Sequence, residues 1–343
     1  MKIANYSIGQ QHKPFIIAEM SGNHNQSLER ALKIIEVAAK CGADAIKLQT
    51  YTADTLTINQ RGGLFDINDP TSLWANRNLY ELYQEAHTPW EWHAAMYKCA
   101  ADNGMLCFST PFDDTAVDFL ENLNTPVHKI ASFENNHYPL LKKVARTGKP
   151  VIMSTGASDL ANLSEAVEIL RANGCKDLVL LKCTSNYPST PENSNLRTIP
   201  HLRELFNCEV GLSDHTMGVG VPIAAVTLGA TVIEKHFCLS RAEGGVDSAF
   251  SLEPDELRSL VIETERAWQS LGHVQYGVQE TEKKSLLFKR SIYVVKDIKA
   301  GEHFTPENIR VIRPGDGMHP KYYEVFLGKV ANKEYRIGTP LKI

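Results

Sequence analysis

The chain has 343 residues, enough for two domains or for one large barrel with an appendage. Its 36 Lys and Arg against 40 Asp and Glu give a formal net charge of -4, which excludes the basic footprint of electrostatically driven nucleic-acid binding. With 43% hydrophobic and 22% charged residues the composition is that of a globular protein, and no apolar run approaches the ~20 residues of a membrane span.

The opening stretch, MKIANYSIGQQHKPF, lacks the unbroken apolar segment of a signal peptide, so a cytoplasmic location is expected. The seven Cys form no CxxC pair, and most sit in apolar runs such as those around Cys107 and Cys183. Reduced, buried structural thiols are expected rather than a redox or zinc site.

From residue 15 to about residue 272, short apolar runs alternate with stretches of helical period. The expected strands are 15–20, 45–51, 105–111, 127–133, 150–155, 178–184, 209–215 and 231–237. Helical segments lie between them, among them 27–40, 113–123 and 159–174. The helix 253–272 closes the series, with acidic residues in its first turn and Gly272 at its end. Eight strands each followed by a helix over ~250 residues predict an α/β fold, a (β/α)8 TIM barrel. A doubly wound open sheet is the alternative, and no glycine-rich dinucleotide fingerprint supports it. Residues 52–78 interrupt the pattern directly after the second strand and are expected to form a lid or substrate wall, or else a plain surface loop.

After Gly272 the chain becomes polar and weakly periodic. Residues 289–317, KRSIYVVKDIKAGEHFTPENIRVIRPGDG, then predict short strands, a turn at DIKAG and a capped helical turn at Thr305-Pro306-Glu307. The expected division is a barrel over 1–275, a linker over 276–287 and a small β-rich module over 288–343, too thin-cored to stand without docking onto a barrel.

In such a barrel the chemistry belongs to the C-terminal ends of the strands. Those ends carry Glu19, Lys47, Gln49, Ser109, Lys129, Ser132, Ser154, Lys182, Thr184, Ser213, Asp214, His215, Glu234 and His236, where polar side chains are costly unless paired or bound to a ligand. Residues of one parity face one side of a strand, so His215 and His236 can both point into the mouth from adjacent strands. Two imidazoles with open positions suit a divalent Lewis-acid ion, with manganese, iron, cobalt or zinc all admissible. Lys47 and Lys129, with Ser132, Ser154 and Ser213, fit a ligand carrying phosphate and carboxylate. The same lysines also suit an ion network with Glu19 or Glu234, and Glu19 can either position a water or neutralise Lys47. Trp90 and Trp92 are expected to pack, and Arg313 is expected to be solvated.

The motifs AEMSGNH (18–24), GADAIKLQTY (42–51), FSTPFD (108–113), HKIASFE (128–134), MSTG (153–156), KCTSNYP (182–188), GLSDHT (211–216), IEKHF (233–237) and IRPGDG (312–317) together resemble the bacterial nonulosonic (sialic-type) acid synthases over essentially the whole chain. The resemblance implies a barrel joined to a C-terminal antifreeze-like (SAF) module in a domain-swapped homodimer. It implies condensation of phosphoenolpyruvate with the open-chain aldehyde of an N-acylated amino sugar, with phosphate released by C–O cleavage. It assigns His215 and His236 to a divalent metal, manganese foremost with magnesium or cobalt as alternatives. Lys47, Lys129, Ser132, Ser154 and Ser213 fall to phosphoenolpyruvate, and Gln49, Tyr187 and Asp247 to the sugar or the attacking water. Glu19 is the nominee for the base, and Arg313 reaches from the partner subunit to the acyl group.

Two departures, Ala131-Ser132-Phe133 before Glu134 and the lid sequence 62–93, resemble the pseudaminic acid branch of that family. They imply 2,4-diacetamido-2,4,6-trideoxy-L-altrose as acceptor, with Phe133 either beside its methyl group or packed under the barrel rim. Legionaminic and N-acetylneuraminic acid synthesis are the alternatives within the family. Outside it stand a metal-dependent barrel aldolase or hydrolase, which needs no lysine pair, and a non-catalytic carbohydrate-binding protein.

Overall fold

A computed structural model describes residues 1–342, which divide into two compact units, the first Met1–Gly272 and the second beginning at His273. The first unit opens with a short antiparallel hairpin, β1 (Lys2–Ile3) and β2 (Tyr6–Ser7), which the periodicity did not reveal because two-residue strands carry no period. Eight parallel strands follow: β3 (Phe15–Glu19), β4 (Ala45–Thr50), β5 (Leu106–Pro111), β6 (His128–Ile130), β7 (Val151–Ser154), β8 (Leu178–Cys183), β9 (Glu209–Asp214) and β10 (Val232–His236). They close in chain order, β10 pairing with β3, as the expected (β/α)8 barrel.

Local chemistry sets the helix limits. Ser27 caps Leu28–Cys41 by accepting from the Arg30 amide, and Gly42 ends that helix at φ 94°, a conformation glycine adopts without a Cβ penalty. Asp113 caps Asp114–Asn122 and Asp159 caps Leu160–Ala172. The last helix, Pro254–Leu271, starts with proline in its first turn and a capping box between Glu253 and Glu256.

Strand parity divides the packing. Ile16, Ala18, Ile46, Leu48, Met153 and Leu180 face the helices, against Ile34, Ile35, Leu141 and Leu170. Phe15, Ile17, Ala45, Phe108, Val127, Ile152, Val179, Leu181 and Val232 fill the N-terminal half of the barrel interior, sealed by Ile3 and Ile8 from the opening hairpin segment. One end of the barrel is therefore dry, and every polar interior group is confined to the other.

In the second unit, β11 (Ser291–Val294) pairs antiparallel with β12 (Ile309–Ile312) around Ile292, Val294, Ile298, Phe304, Ile309, Ala331 and Leu341. The DIKAG turn is present, with Gly301 at φ 90°. The segment after Thr305 closes a hydrogen-bonded turn through Asn308 but does not become a helix. Glu280–Phe288 forms a 3-10 helix, and no helix among the described residues is long and apolar enough to cross a membrane.

Gly211 on β9 has no room for a side chain: a Cβ there would lie 2.2 Å from the Val232 carbonyl oxygen and 2.8 Å from Leu181 Cδ2. Gly211→Ala must push β9 away from β10, so it is expected to cost about 1–3 kcal/mol in chemical denaturation. A variant as stable as the wild type would show that this strand pair can yield freely.

Candidate active site

The polar end of the barrel is a network of buried charge. Glu19, Lys47, Lys129 and Glu234 project inward from β3, β4, β6 and β10, and all four are buried. Lys47 Nζ lies 2.9 Å from Glu19 Oε2 and 3.3 Å from Glu234 Oε1. Lys129 Nζ lies 3.8 Å from Glu234 Oε1 and donates to Ser154 Oγ at 2.6 Å. Gln49 donates to Glu19 Oε1 at 3.0 Å, and Ser213 donates to Glu234 Oε1 at 3.1 Å.

Burial pushes the Glu19 carboxyl up to about 7, because the Lys47 ammonium only partly offsets the lost hydration. Burial also raises Glu234, but Lys129, Lys47 and Ser213 outweigh it and hold that carboxyl below its usual range. Burial lowers Lys129 to about 8, while Lys47, gripped by two carboxylates, stays above its ordinary value despite desolvation. Two carboxyls in one network are thus driven apart, the pattern of a site with divided acid and base roles.

Beside this network stand the two histidines. The His215 and His236 ring centroids are 5.4 Å apart, and His215 Nδ1 donates to the Thr184 carbonyl at 3.0 Å, which turns Nε2 away from that contact. His236 Nδ1 is buried with no hydrogen-bond partner, and burial, then His215 and the lysines, holds this imidazole neutral. An orphaned ring nitrogen beside a second, oriented imidazole fits a divalent ion. Among the described residues no group of three His, Cys, Asp or Glu forms a metal site, so the remaining positions would fall to water or substrate oxygen.

Aromatic groups wall the pair. Tyr187 stands 4.4 Å from His215 and 6.5 Å from His236, and Phe250 lies 4.9 Å from His236. The 52–78 segment folds over this wall: Trp74 packs 5.8 Å from Tyr187, and its Nε1 donates to the Val246 carbonyl at 3.0 Å. The neighbouring Asp247 is buried and accepts from the Ser21 hydroxyl.

Of the residues singled out from sequence, Glu19, Lys47, Gln49, Lys129, Ser132, Ser154, Tyr187, Ser213, His215, His236 and Asp247 all belong to the first unit, where strand parity and these contacts gather them at the barrel mouth. Arg313 lies exposed in the second unit, just after β12. Lys182 and Asp214 do not face the interior. Lys182 has the outward parity and donates to its neighbours, the Cys183 carbonyl and the Thr184 hydroxyl. Phe133 does not pack under the rim, being 60% exposed. Trp90 and Trp92 pack as expected, against Phe119 and His24.

Cys183 is reduced and buried as expected, but it faces the site rather than the helices. It is free, shares the inward parity of Val179 and Leu181, and contacts His215, which lowers its thiol to about 6 against the effect of burial. Strand parity alone could have found it. Glu134, whose buried Oε2 has no partner and whose carboxyl burial raises to about 7, was also missed because it sits on a 3-10 turn with no period to read. Ser132 and Ser185 crowd Gly156, where a Cβ would meet their hydroxyls at 2.7 and 2.2 Å, so the glycine keeps this serine-lined corner open.

Comparison with known proteins places this geometry among relatives. Residues 34–276 match the NeuB family and residues 289–343 a SAF domain. The pseudaminic acid synthase of Campylobacter jejuni subsp. jejuni serotype O:2 is 46% identical over 342 residues, covering 100% of this chain and 98% of its own length. That of Helicobacter pylori is 43% identical, covering 96% of each. The crystal structure of an N-acetylneuraminic acid synthetase from Leptospira borgpetersenii serovar Hardjo-bovis in complex with citrate superposes with a TM-score of 0.74 at 31% identity, over 83% of this chain and 94% of that one.

Lys47→Met would leave Glu19 and Glu234 without the cation between them, at an expected cost of about 3–5 kcal/mol. The sign of the pH dependence follows from Glu19. Its folded value, raised to about 7, makes its contribution complete below the unfolded carboxyl range and lost as pH rises through 7. Removing Lys47 raises it further, so urea titrations should show the deficit against wild type widening from about pH 6 to about pH 8. A deficit independent of pH would mean that Lys47 does not govern the ionisation of Glu19.

Proposed function

The chain belongs to the NeuB family, and on that premise we propose that it condenses phosphoenolpyruvate with 2,4-diacetamido-2,4,6-trideoxy-L-altrose to form pseudaminic acid. Full-length identity to pseudaminic acid synthases carries the choice of product. The exposed Phe133 supports it, as an apolar ring available to a 6-deoxy sugar's methyl group. The buried lysine pair supports phosphoenolpyruvate over the substrates of a barrel aldolase or hydrolase.

In this reading Lys47 and Lys129, with Ser132, Ser154 and Ser213, bind the phosphate and carboxylate of phosphoenolpyruvate, and the ligand's charge restores Lys129 to its full ammonium form. His215 and His236 hold the divalent ion, manganese foremost with magnesium or cobalt as alternatives. When bound there, that ion supplies Lewis-acid polarisation of the sugar's C1 aldehyde oxygen. Gln49, Tyr187 and Asp247 orient the sugar, and Trp74 closes the lid over them to exclude bulk water.

The C3–C1 bond forms from the enol carbon to the aldehyde, and C2 takes on oxocarbenium character beside the bound anion. Glu19, poised near neutrality, takes the proton of the water that adds to C2. The C2–O bond then breaks as the C2 hydroxyl gives its proton to the departing phosphate, leaving the keto acid and inorganic phosphate, while the proton held by Glu19 passes to the oxygen at the sugar's C1. Residues 1–275 form the catalytic barrel, 276–287 the linker and 288–343 the module whose Arg313 reaches the acyl group over the barrel of the other chain in a domain-swapped homodimer.

The primary test is phosphate release from phosphoenolpyruvate across a panel of acetamido sugars, with product masses recorded. Release is expected only with both the trideoxy-altrose and a divalent ion present, and His215→Ala or His236→Ala should abolish it. Phosphate release without sugar, or a preference for a mannosamine, would reject the assignment.

The dimer is tested by mixing Arg313→Ala and His215→Ala chains, each inactive alone. Subunit exchange should recover about one quarter of wild-type activity in an equal mixture, because half the dimers each hold one intact composite site. A dead mixture with exchange proven by mass would place Arg313 in its own chain's chemistry or outside it.

A further inference from the structure

The histidine pair is backed by a second, hidden pair on the outer face of the same two strands. The parallel ladder between β9 and β10 registers Ser213 with Glu234 and Asp214 with Lys235, and it ends there, one residue short of His215 and His236. No ladder hydrogen bond therefore fixes the two imidazole-bearing residues against each other. Asp214 and Lys235 have the outward parity, in the layer between strands and helices where Leu212 and Ile233 are packed apolar residues. Their side chains are only 3% and 0% exposed.

Their contacts form a closed circuit. Lys235 Nζ lies 2.7 Å from Asp214 Oδ2 and donates to the Thr216 carbonyl at 2.5 Å. The Thr216 amide donates to Asp214 Oδ1 at 3.1 Å and its hydroxyl to Asp214 Oδ2 at 2.9 Å. His215 is thus bracketed on both sides by groups tied to the residue before His236, and its own carbonyl accepts from the Ser189 amide at 3.0 Å. A buried ion pair is commonly no more stabilising than apolar residues of the same volume, so a gain in stability is a poor account of these charges in an otherwise apolar layer. Their geometry has a direct consequence for the site, because ligands of one ion must be held within about 0.5 Å of the productive arrangement.

We infer that Asp214, Lys235 and Thr216 are positioning residues that take over from the finished strand ladder and set the separation and aim of His215 and His236. This rests on the reading that those histidines hold a divalent ion. The experiment is titration of the full-length chain with Co2+, following binding and the ligand-field absorption bands. Lys235→Met/Asp214→Asn removes both charges together, and Thr216→Val removes one hydrogen bond at nearly constant shape. The folded double variant should bind Co2+ about 10–100-fold more weakly with altered band shape. Thr216→Val should lose about 2- to 12-fold. Phosphoenolpyruvate affinity measured without metal should stay at the wild-type value in both.

If the wild type fails to bind Co2+, or His215→Ala binds it equally well, the metal reading itself is wrong. If the wild type binds and His215→Ala does not, while a folded variant keeps wild-type affinity and spectrum, the positioning role is overturned. Should the double variant fail to fold, Thr216→Val decides by the same criterion.

Discussion

Lys47 lies between two buried carboxylates, and the polar end of the barrel depends on that contact. A charge taken out of water must find a partner, and each member of this network supplies one to the next: Gln49 to Glu19, Glu19 to Lys47, Lys47 to Glu234, Glu234 to Lys129 and Ser213. An anion entering the mouth would exchange partners with groups already paired, and no ammonium would have to wait bare. The ion network and the proposed anion binding by the two lysines are therefore compatible in one arrangement. Burial raises Glu19 to about 7 while Lys129, Lys47 and Ser213 hold Glu234 below its usual range, so two chemically identical side chains are driven apart within one network.

The other half of the barrel makes this affordable. Phe15, Ile17, Phe108, Ile152 and Leu181, closed by Ile3 and Ile8, leave the strands no polar interior at their N-terminal ends. That dry floor confines charge to one mouth, and the lid, latched by Trp74 to the Val246 carbonyl, covers the aromatic wall beside the histidines. Precision there comes from close contacts: β9 can approach β10 only because residue 211 has no side chain, and the two strands carry His215 and His236 past the end of their shared ladder.

Much of this was legible beforehand. The eight apolar runs lie within a few residues of the strands, because a parallel strand buried on both faces must be continuously apolar and a helix on its flank must be periodic. Parity along those runs pointed His215 and His236 into the mouth from adjacent strands. The same rule, applied to β8, would have turned Cys183 inward and dismissed Lys182. Glu134 and the opening hairpin escaped because a 3-10 turn and two-residue strands are too short to carry a period.

The sequence by itself determined the barrel, the family and most of the inward polar residues, since each follows from a local pattern or a contiguous motif. Tertiary structure decided which of those residues touch. That Lys47 binds two carboxylates, that His236 keeps an unpartnered nitrogen beside an oriented His215, that Phe133 is exposed, and that Asp214 closes onto Lys235 behind the site all depend on barrel closure and strand register. These bring together residues from 21 to 187 positions apart, and no period along the chain encodes such distances.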